Sequence, residues 1–270
     1  MLVNTVINNR ICYVEMQNAD HFNCLSEAMC QELCDAIRSG YEQECVGVVI
    51  KAQCKKGVWS AGHDIRELPQ NGDDPLAYDV PMERLLRCVQ ETAIPVIACV
   101  DGGVWGGACD LCLSCDMIVS TDTATFAITP AKIGIPYNAS GIMHFINQLG
   151  MNKAREMFFL AQPITAQDAL NVGLINRVVP ADELDTVLEE QFLNPLRRNS
   201  VMSISAIKRQ FRILSKASTV LSSESFERIN AYRTKVYQGA DYLEGIRSFL
   251  EKRAPQYKGK ASDLDTHKIK

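Results

Sequence analysis

Three groups of residues in this chain have types and spacings that could do chemistry. Cys109, Cys112 and Cys115 repeat with the spacing of thiolates around an iron–sulfur cluster. Such a cluster needs a fourth thiolate, and the short bacterial pattern would put it at Val119, with no Cys-Pro following. Cys30 and Cys34 are one helical turn apart with no neighbouring His, so no zinc set is completed. We expect no metal, and thiols that act as small buried hydrophobes. The second group is glycine-rich: Gly102, Gly103, Gly106 and Gly107. It fits neither G-x-G-x-x-G nor a phosphate loop. It is either a turn that needs positive φ or the start of a helix whose unpaired N–H groups suit an oxygen gaining negative charge. The third is Ser60-Ala61-Gly62-His63-Asp64-Ile65. His63 titrates near neutrality and could be a base. Alternatively its ring fills space and only its main chain matters.

The elements that must position these loops alternate between strand and helix in the first part of the chain. Residues 3–7 and 11–16 alternate as strands joined at Asn8-Asn9. Ser26 is placed to cap a helix through about Ser39, with Met29, Leu33, Ala36 and Ile37 at helical spacing and Gly40 ending it. Residues 46–50 and 94–100 are apolar runs suited to strands covered on both faces. Met82, Leu85, Leu86 and Val89 mark a helix between them, and a strand ends near Trp59. A short helix should begin at Ala108, followed by a strand over 117–120. Thr165 and Asp168 have the spacing of a capping pair. From about Asn199 to Leu250 the period is only helical, and the polar residues 258–270 should be frayed. The class is α/β, with a strand-rich front and a helical back.

Composition narrows the function. The chain has 270 residues, 47% hydrophobic and 22% charged, which suits a soluble enzyme and excludes wholesale disorder. A net charge of −4 argues against a nucleic-acid partner. No apolar run approaches the roughly 20 residues of a membrane span, and the first residues do not have the form of a signal peptide. The 11 cysteines cannot all pair within one chain, so a reduced, cytoplasmic setting is expected.

Taken together, the two loops at 60–65 and 102–110 resemble the paired signatures of the enoyl-CoA hydratase/isomerase (crotonase) superfamily. Further segments resemble it in order along the chain: Phe22-Asn23-Cys24-Leu25-Ser26, Ile94-Pro95-Val96-Ile97-Ala98, Ile164-Thr165-Ala166-Gln167-Asp168-Ala169, Val172-Gly173-Leu174-Ile175-Asn176 and Phe249-Leu250-Glu251-Lys252-Arg253. The resemblance implies a spiral of ββα units over residues 1–195 that carries the coenzyme A site. A helical trimerisation region would follow over 196–270.

The resemblance also implies roles. The backbone amides of His63 and Gly107 match the oxyanion hole for a thioester, so the amide of His63 rather than its imidazole is expected to act. Ala61, Gly62, Asp64, Ile65 and Thr129 match substrate-contacting positions, as does Lys252 toward the coenzyme A phosphates. Leu25, Trp105 and Phe249 are secondary candidates, and Trp59 and Trp105 could wall the acyl pocket or belong to the core. The hydratases of the family use two glutamates, but the matching positions here are Asp110 and Ala131. A methyl group cannot activate water, so ordinary hydration loses its base. Within the superfamily, Ile135-Pro136-Tyr137-Asn138 and Ser60–Pro69 resemble a bacterial branch that decarboxylates malonyl-type thioesters, in which a tyrosine at Tyr137 handles the substrate carboxylate. Asp110 departs from the glutamate of that branch. The expected reaction is methylmalonyl-CoA to propionyl-CoA and CO2 through an enolate. No cofactor is expected, since coenzyme A is part of the substrate, and the expected assembly is a homotrimer or a dimer of trimers. The alternatives are a hydratase or acyl-CoA hydrolase using Asp110, or an inactive acyl-CoA-binding protein.

Overall fold

Why the front of the chain winds as it does follows from its short apolar runs. A computed structural model describes residues 1–217 and 222–264. Strands β1 (Val3–Asn8) and β2 (Ile11–Met16) form an antiparallel hairpin, turned by Asn9 and Arg10, both at positive φ. The turn therefore lies one residue later than the expected Asn8-Asn9. Ser26 Oγ accepts from Met29 N and starts α1 (Glu27–Glu42). Gly40 does not end this helix. A Cβ there would stand 2.8 Å from Cys12 Cβ, so the glycine lets the helix pack closely on β2.

The remaining strands come in pairs, one for each of two sheets. They are β3 (Gly47–Ala52) with β4 (Val58–Ser60), β5 (Val96–Val100) with β6 (Gly103–Trp105), and β7 (Met117–Thr121) with β8 (Thr125–Ala127). Two later strands, β9 (Ile164–Thr165) and β10 (Arg177–Val179), complete the sheets. The larger sheet has the order β1-β2-β3-β5-β7-β10 and is parallel beyond the hairpin; the smaller is β4-β6-β8-β9. Helices follow the turns of this spiral: α2 (Pro81–Glu91), α3 (Gly107–Ser114), α4 (Ala139–Leu160) and α5 (Ala166–Asn171). This is the ββα spiral that the resemblance implied. The main core lies between the strands and these helices, and Met29, Leu33, Ile37, Leu85 and Val89 fill it from α1 and α2. Thr165 caps α5 by accepting from Asp168 N.

The back of the chain is helical. It comprises α6 (Leu184–Val187), α7 (Asn194–Arg198), α8 (Val201–Ala217), α9 (Ser223–Tyr237) and α10 (Ala240–Leu250). Helices α9 and α10 brace the site loops from outside. Tyr242 Oη donates to Pro69 O at 2.8 Å, and Tyr237 Oη donates to Pro136 O at 2.9 Å. Arg233 pairs with Asp74 at 2.6 Å. Tyr237, Tyr242 and Ile246 pack with Leu68 and Ile135 in a small core of their own. The polar tail is held in its first part, where Lys258 N and Gly259 N donate to Asp241. The remainder of the expected frayed segment, 265–270, lies outside the described residues. No helix among the described residues is long and apolar enough to cross a membrane.

Candidate active site

The loop after β4 is fixed by buried polar groups. Ser60 Oγ donates to Asn23 O at 2.7 Å and accepts from Gly62 N at 3.2 Å. Asn23 is fully buried and donates from Nδ2 to Gln53 O and Trp59 O. Leu25 N donates to Gly62 O at 2.7 Å. Gly62 itself has φ of +82°, and a Cβ there would stand 2.3 Å from Trp105 O and 2.8 Å from Gly107 N. Only glycine lets the two loops approach this closely.

The second loop follows β6. Gly106, at φ of +54°, donates its N–H to Ala127 O at 2.8 Å, and Gly107 opens α3. The Gly107 amide thus stands in the first turn of the helix, where no carbonyl of that helix accepts from it. A Cβ at Gly107 would lie 3.5 Å from His63 N, so the amides of His63 and Gly107 are neighbours.

Both residues line one cavity of about 60 Å³. Its polar lining also includes Glu83, Thr129 and Tyr137, and its apolar lining includes Ile65, Leu68, Met82, Leu86 and Ile135. The cavity brings together the sequence candidates Ala61, His63, Ile65, Gly107, Thr129 and Tyr137. Burial lowers the basicity of His63, and its Nδ1 is buried with no hydrogen-bond partner among the described residues.

Other candidates stand elsewhere. Asp64 is buried and turned to Arg66, whose hydrogen bond and charge hold its carboxyl down at about 2. Gly62 and Leu25 shape the loop rather than line the cavity. Neither tryptophan walls the cavity: Trp59 is wholly buried and donates to Cys99 O, while the Trp105 ring lies against Gly103. Phe249 is exposed on α10, and Lys252 and Arg253 lie past the end of that helix rather than within it, with Lys252 at φ of +54°. Ala131 is exposed and outside the lining.

Asp110 is buried behind the cavity instead of lining it. Tyr137 Oη donates to its Oδ2 at 3.0 Å, and His144 Nδ1 lies 2.8 Å from its Oδ1. Gln90 Nε2 lies 3.1 Å from both His144 Nε2 and Ser114 Oγ. With the amide turned this way, His144 carries its proton on Nδ1, toward Asp110. Burial works against charging His144, but the hydrogen bond and charge of Asp110 outweigh it and raise its basicity. Burial, then the charge of Asp110, push the Tyr137 phenol well above its ordinary range. The Tyr137 ring is fixed edge-on against Phe158 at 5.3 Å.

Sequence reasoning missed Glu83, Asn138 and His144. Asn138 caps α4 by accepting from Gly141 N at 2.7 Å and donates to Glu83 Oε1 at 2.5 Å. Burial, followed by the charge of Asp110, raises the Glu83 carboxyl to about 7. One signal for Glu83 was available: it shares a helical stripe with Leu86 and Gln90, so an acid lay on an inward face. Of the cysteines, Cys109 and Cys112 are buried in α3, while Cys115 lies just past its end. Cys109 Sγ lies 3.1 Å from Val104 O, and Cys115 Sγ lies 3.4 Å from Leu111 O. Burial raises the pKa of all three thiols. Among the described residues, no group of three or more His, Cys, Asp or Glu is arranged to hold a metal ion.

The enoyl-CoA hydratase/isomerase family model matches residues 6–260. The chain belongs to this family. Among enoyl-CoA hydratase/isomerase relatives, methylmalonyl-CoA decarboxylase of Escherichia coli strain K12 is 38% identical over 95% of this chain and 98% of its own. A probable mitochondrial enoyl-CoA hydratase of Dictyostelium discoideum is 28% identical over 93% of this chain and 88% of its own. A solved methylmalonyl-CoA decarboxylase in complex with 2-nitronate-propionyl-CoA superposes with a TM-score of 0.92 at 38% identity, covering 96% of this chain and 99% of that one. An enoyl-CoA hydratase/isomerase from Pseudoalteromonas atlantica, at 21% identity and a TM-score of 0.81, shares the fold.

Proposed function

We propose that this family member is a carboxy-lyase that converts methylmalonyl-CoA to propionyl-CoA and CO2. The observation that carries the reading is the pair of neighbouring amides, His63 and Gly107, opening onto a largely apolar cavity that also holds Tyr137. The likeness to methylmalonyl-CoA decarboxylase over nearly the whole chain supports it.

In the proposed reaction the thioester oxygen accepts from both amides. The bond between the α-carbon and the carboxylate carbon breaks, CO2 leaves, the electron pair stays behind as an enolate with its charge on that oxygen, and the α-carbon then takes up one proton, drawn in the end from water, to give propionyl-CoA. Fixed donors of this kind are each worth ~10²–10³ in turnover, because they need no reorientation as charge develops. Forming the enolate by loss of CO2 requires no base. Tyr137 orients the substrate carboxylate, its hydrogen passing from Asp110 to the substrate while Asp110 keeps His144. The apolar lining favours release of a neutral product from a charged group. Thr129 contacts the acyl part, and Lys252 is assigned to coenzyme A phosphate, from its own or a neighbouring subunit. No metal or organic cofactor takes part in this scheme. We also keep as proposals a spiral core over 1–195 with a helical region over 196–270, a trimer or a dimer of trimers, and a cytoplasmic setting.

The test offers purified protein methylmalonyl-CoA and crotonyl-CoA in parallel, with products followed by mass spectrometry. Propionyl-CoA from the first, with little 3-hydroxybutyryl-CoA from the second, is the expected result. The reverse pattern would favour a hydratase, and inactivity toward both would favour an acyl-CoA-binding protein.

A further inference from the structure

The cavity leaves the cysteines unused, and one pair of them is built differently from the rest. Cys34 is buried on α1, and Cys88 is partly exposed on α2, where the two helices pack on each other. Cys88 Sγ lies 3.8 Å from Cys34 O, and the two thiols are hydrogen-bonded to each other. Cys109 and Cys115, by contrast, are turned to backbone oxygens.

The two thiols are unequal. The hydrogen bond from Cys34 lowers the Cys88 thiol below its ordinary value; burial opposes this, the nearby charge of Arg38 assists it, and Asp35 opposes it. The same hydrogen bond, then burial, holds the proton on Cys34. In every other cysteine of the chain burial raises the thiol. That includes the exposed Cys54, which is pushed up to about 11 and lies 2.6 Å from Asp101 O. A reachable thiol that ionises and a buried neighbour that stays protonated have the roles of an attacking and a resolving thiol. We propose that Cys34 and Cys88 are a redox pair, which a hydroperoxide closes into a disulfide that ties α2 to α1.

The step balances with hydrogen peroxide as the oxidant. The Cys88 thiolate attacks one peroxide oxygen, the O–O bond breaks, and the other oxygen leaves as water after taking a proton. Cys88 is then a sulfenic acid. The Cys34 sulfur attacks the Cys88 sulfur, the S–S bond forms, the S–O bond breaks, and a second water leaves with the Cys34 proton. Two thiols lose two hydrogens and two electrons, and one peroxide is reduced to two waters.

The bond would reach the site through its supports. Helix α2 carries Met82, Glu83 and Leu86, which line the cavity. Helix α1 starts beside the loop after β4, where Leu25 N donates to Gly62 O and Glu27 N donates to Glu67 Oε2. A disulfide would therefore fix one wall of the cavity to the element that holds its first loop. Neither cysteine lines the cavity, so the proposal holds whichever thioester is turned over there.

The experiment treats reduced, folded protein with hydrogen peroxide, blocks remaining thiols by alkylation and maps the peptides by mass spectrometry without reductant. The expected result is an intrachain link between the Cys34 and Cys88 peptides, reversed by dithiothreitol. Cys34→Ala should stop at a sulfenic acid on Cys88 that dimedone traps, and Cys88→Ser should leave Cys34 a free thiol. Amide exchange over residues 81–91 should slow by about fivefold or more in the oxidised chain. Two unreacted thiols, a link from Cys88 to a different cysteine, or Cys88 taken on to a sulfinic acid beside a free Cys34 would overturn the pair. A Cys34–Cys88 link with unchanged exchange would overturn the tie between the helices. The wild-type map decides the pair whether or not the variants fold.

Discussion

Tyr137 and Asp110 share one hydrogen, and their substitutions should separate the roles. Tyr137→Phe removes the hydroxyl that donates to Asp110 and should lower decarboxylation by about 10- to 100-fold, the loss of one well-placed hydrogen bond to a charged group. Coenzyme A affinity should stay within about twofold, because no polar contact of the phenol is spent on that part of the substrate. Asp110→Asn keeps an oxygen to accept from Tyr137 but sets an amide against His144, so it should cost less than about tenfold. Steady-state kinetics with methylmalonyl-CoA distinguishes these outcomes, and equal losses would return Asp110 to the reacting atoms. Glu83 makes a separate prediction for stability. Its folded carboxyl, at about 7, lies above the ordinary 4.5, so the folded state holds the proton more tightly than the unfolded chain. The stability this proton confers is fully present below pH 4.5 and is lost as pH rises through 7. Chemical denaturation across that window should show a loss of about 3 kcal/mol, and Glu83→Gln should flatten it.

At the scale of elements, the site is a junction of two strand-to-helix turns clamped by the back of the chain. The loop carrying Leu68 and the segment carrying Tyr137 are both tied to α9 and α10 through the hydroxyls of Tyr242 and Tyr237. Tyr242 is fully buried, so Tyr242→Phe leaves Pro69 O without its donor at a cost of about 1–2 kcal/mol. The denaturation midpoint should fall, and amide exchange over residues 65–80 should quicken more than exchange in β5 or β7. Uniform exchange across both regions would show that the brace acts on the whole fold instead. Gly62 is a stricter joint, because any Cβ meets the backbone of the next loop.

For the whole molecule, the helical region leaves apolar side chains uncovered. Met202, Phe211, Ile213 and Leu214 on α8 are each at least 65% exposed. Single exposed apolar residues are ordinary, but four large ones on one helix, spread around it, leave more apolar surface to water than usual and favour association. The proposed trimer or dimer of trimers predicts three or six times the chain mass by sedimentation equilibrium. Phe211→Glu should shift it toward monomer, and a wild-type chain that sediments as monomer would remove the trimer.

Some of this was determined by the sequence alone. Short apolar runs punctuated by turn residues made the alternating strands and helices legible, because burial on one or both faces dictates periodicity locally. The two small-residue loops were legible too, since glycine at close approaches and helix starts leaves a compositional mark. Helix ends were less legible. Gly40 reads as a terminator, yet it lies inside α1, because what decides its use is Cys12, far away in sequence. Tertiary structure alone decided that Trp59 is core, that Asp110 stands behind the cavity, and that Glu83, Asn138 and His144 surround it. Those three lie on different turns of the spiral or at a helix cap, and no spacing rule links them. Their charges and hydrogen bonds acquire meaning only when α2, α3 and α4 bring buried groups together, where a carboxyl must either find a donor or keep its proton.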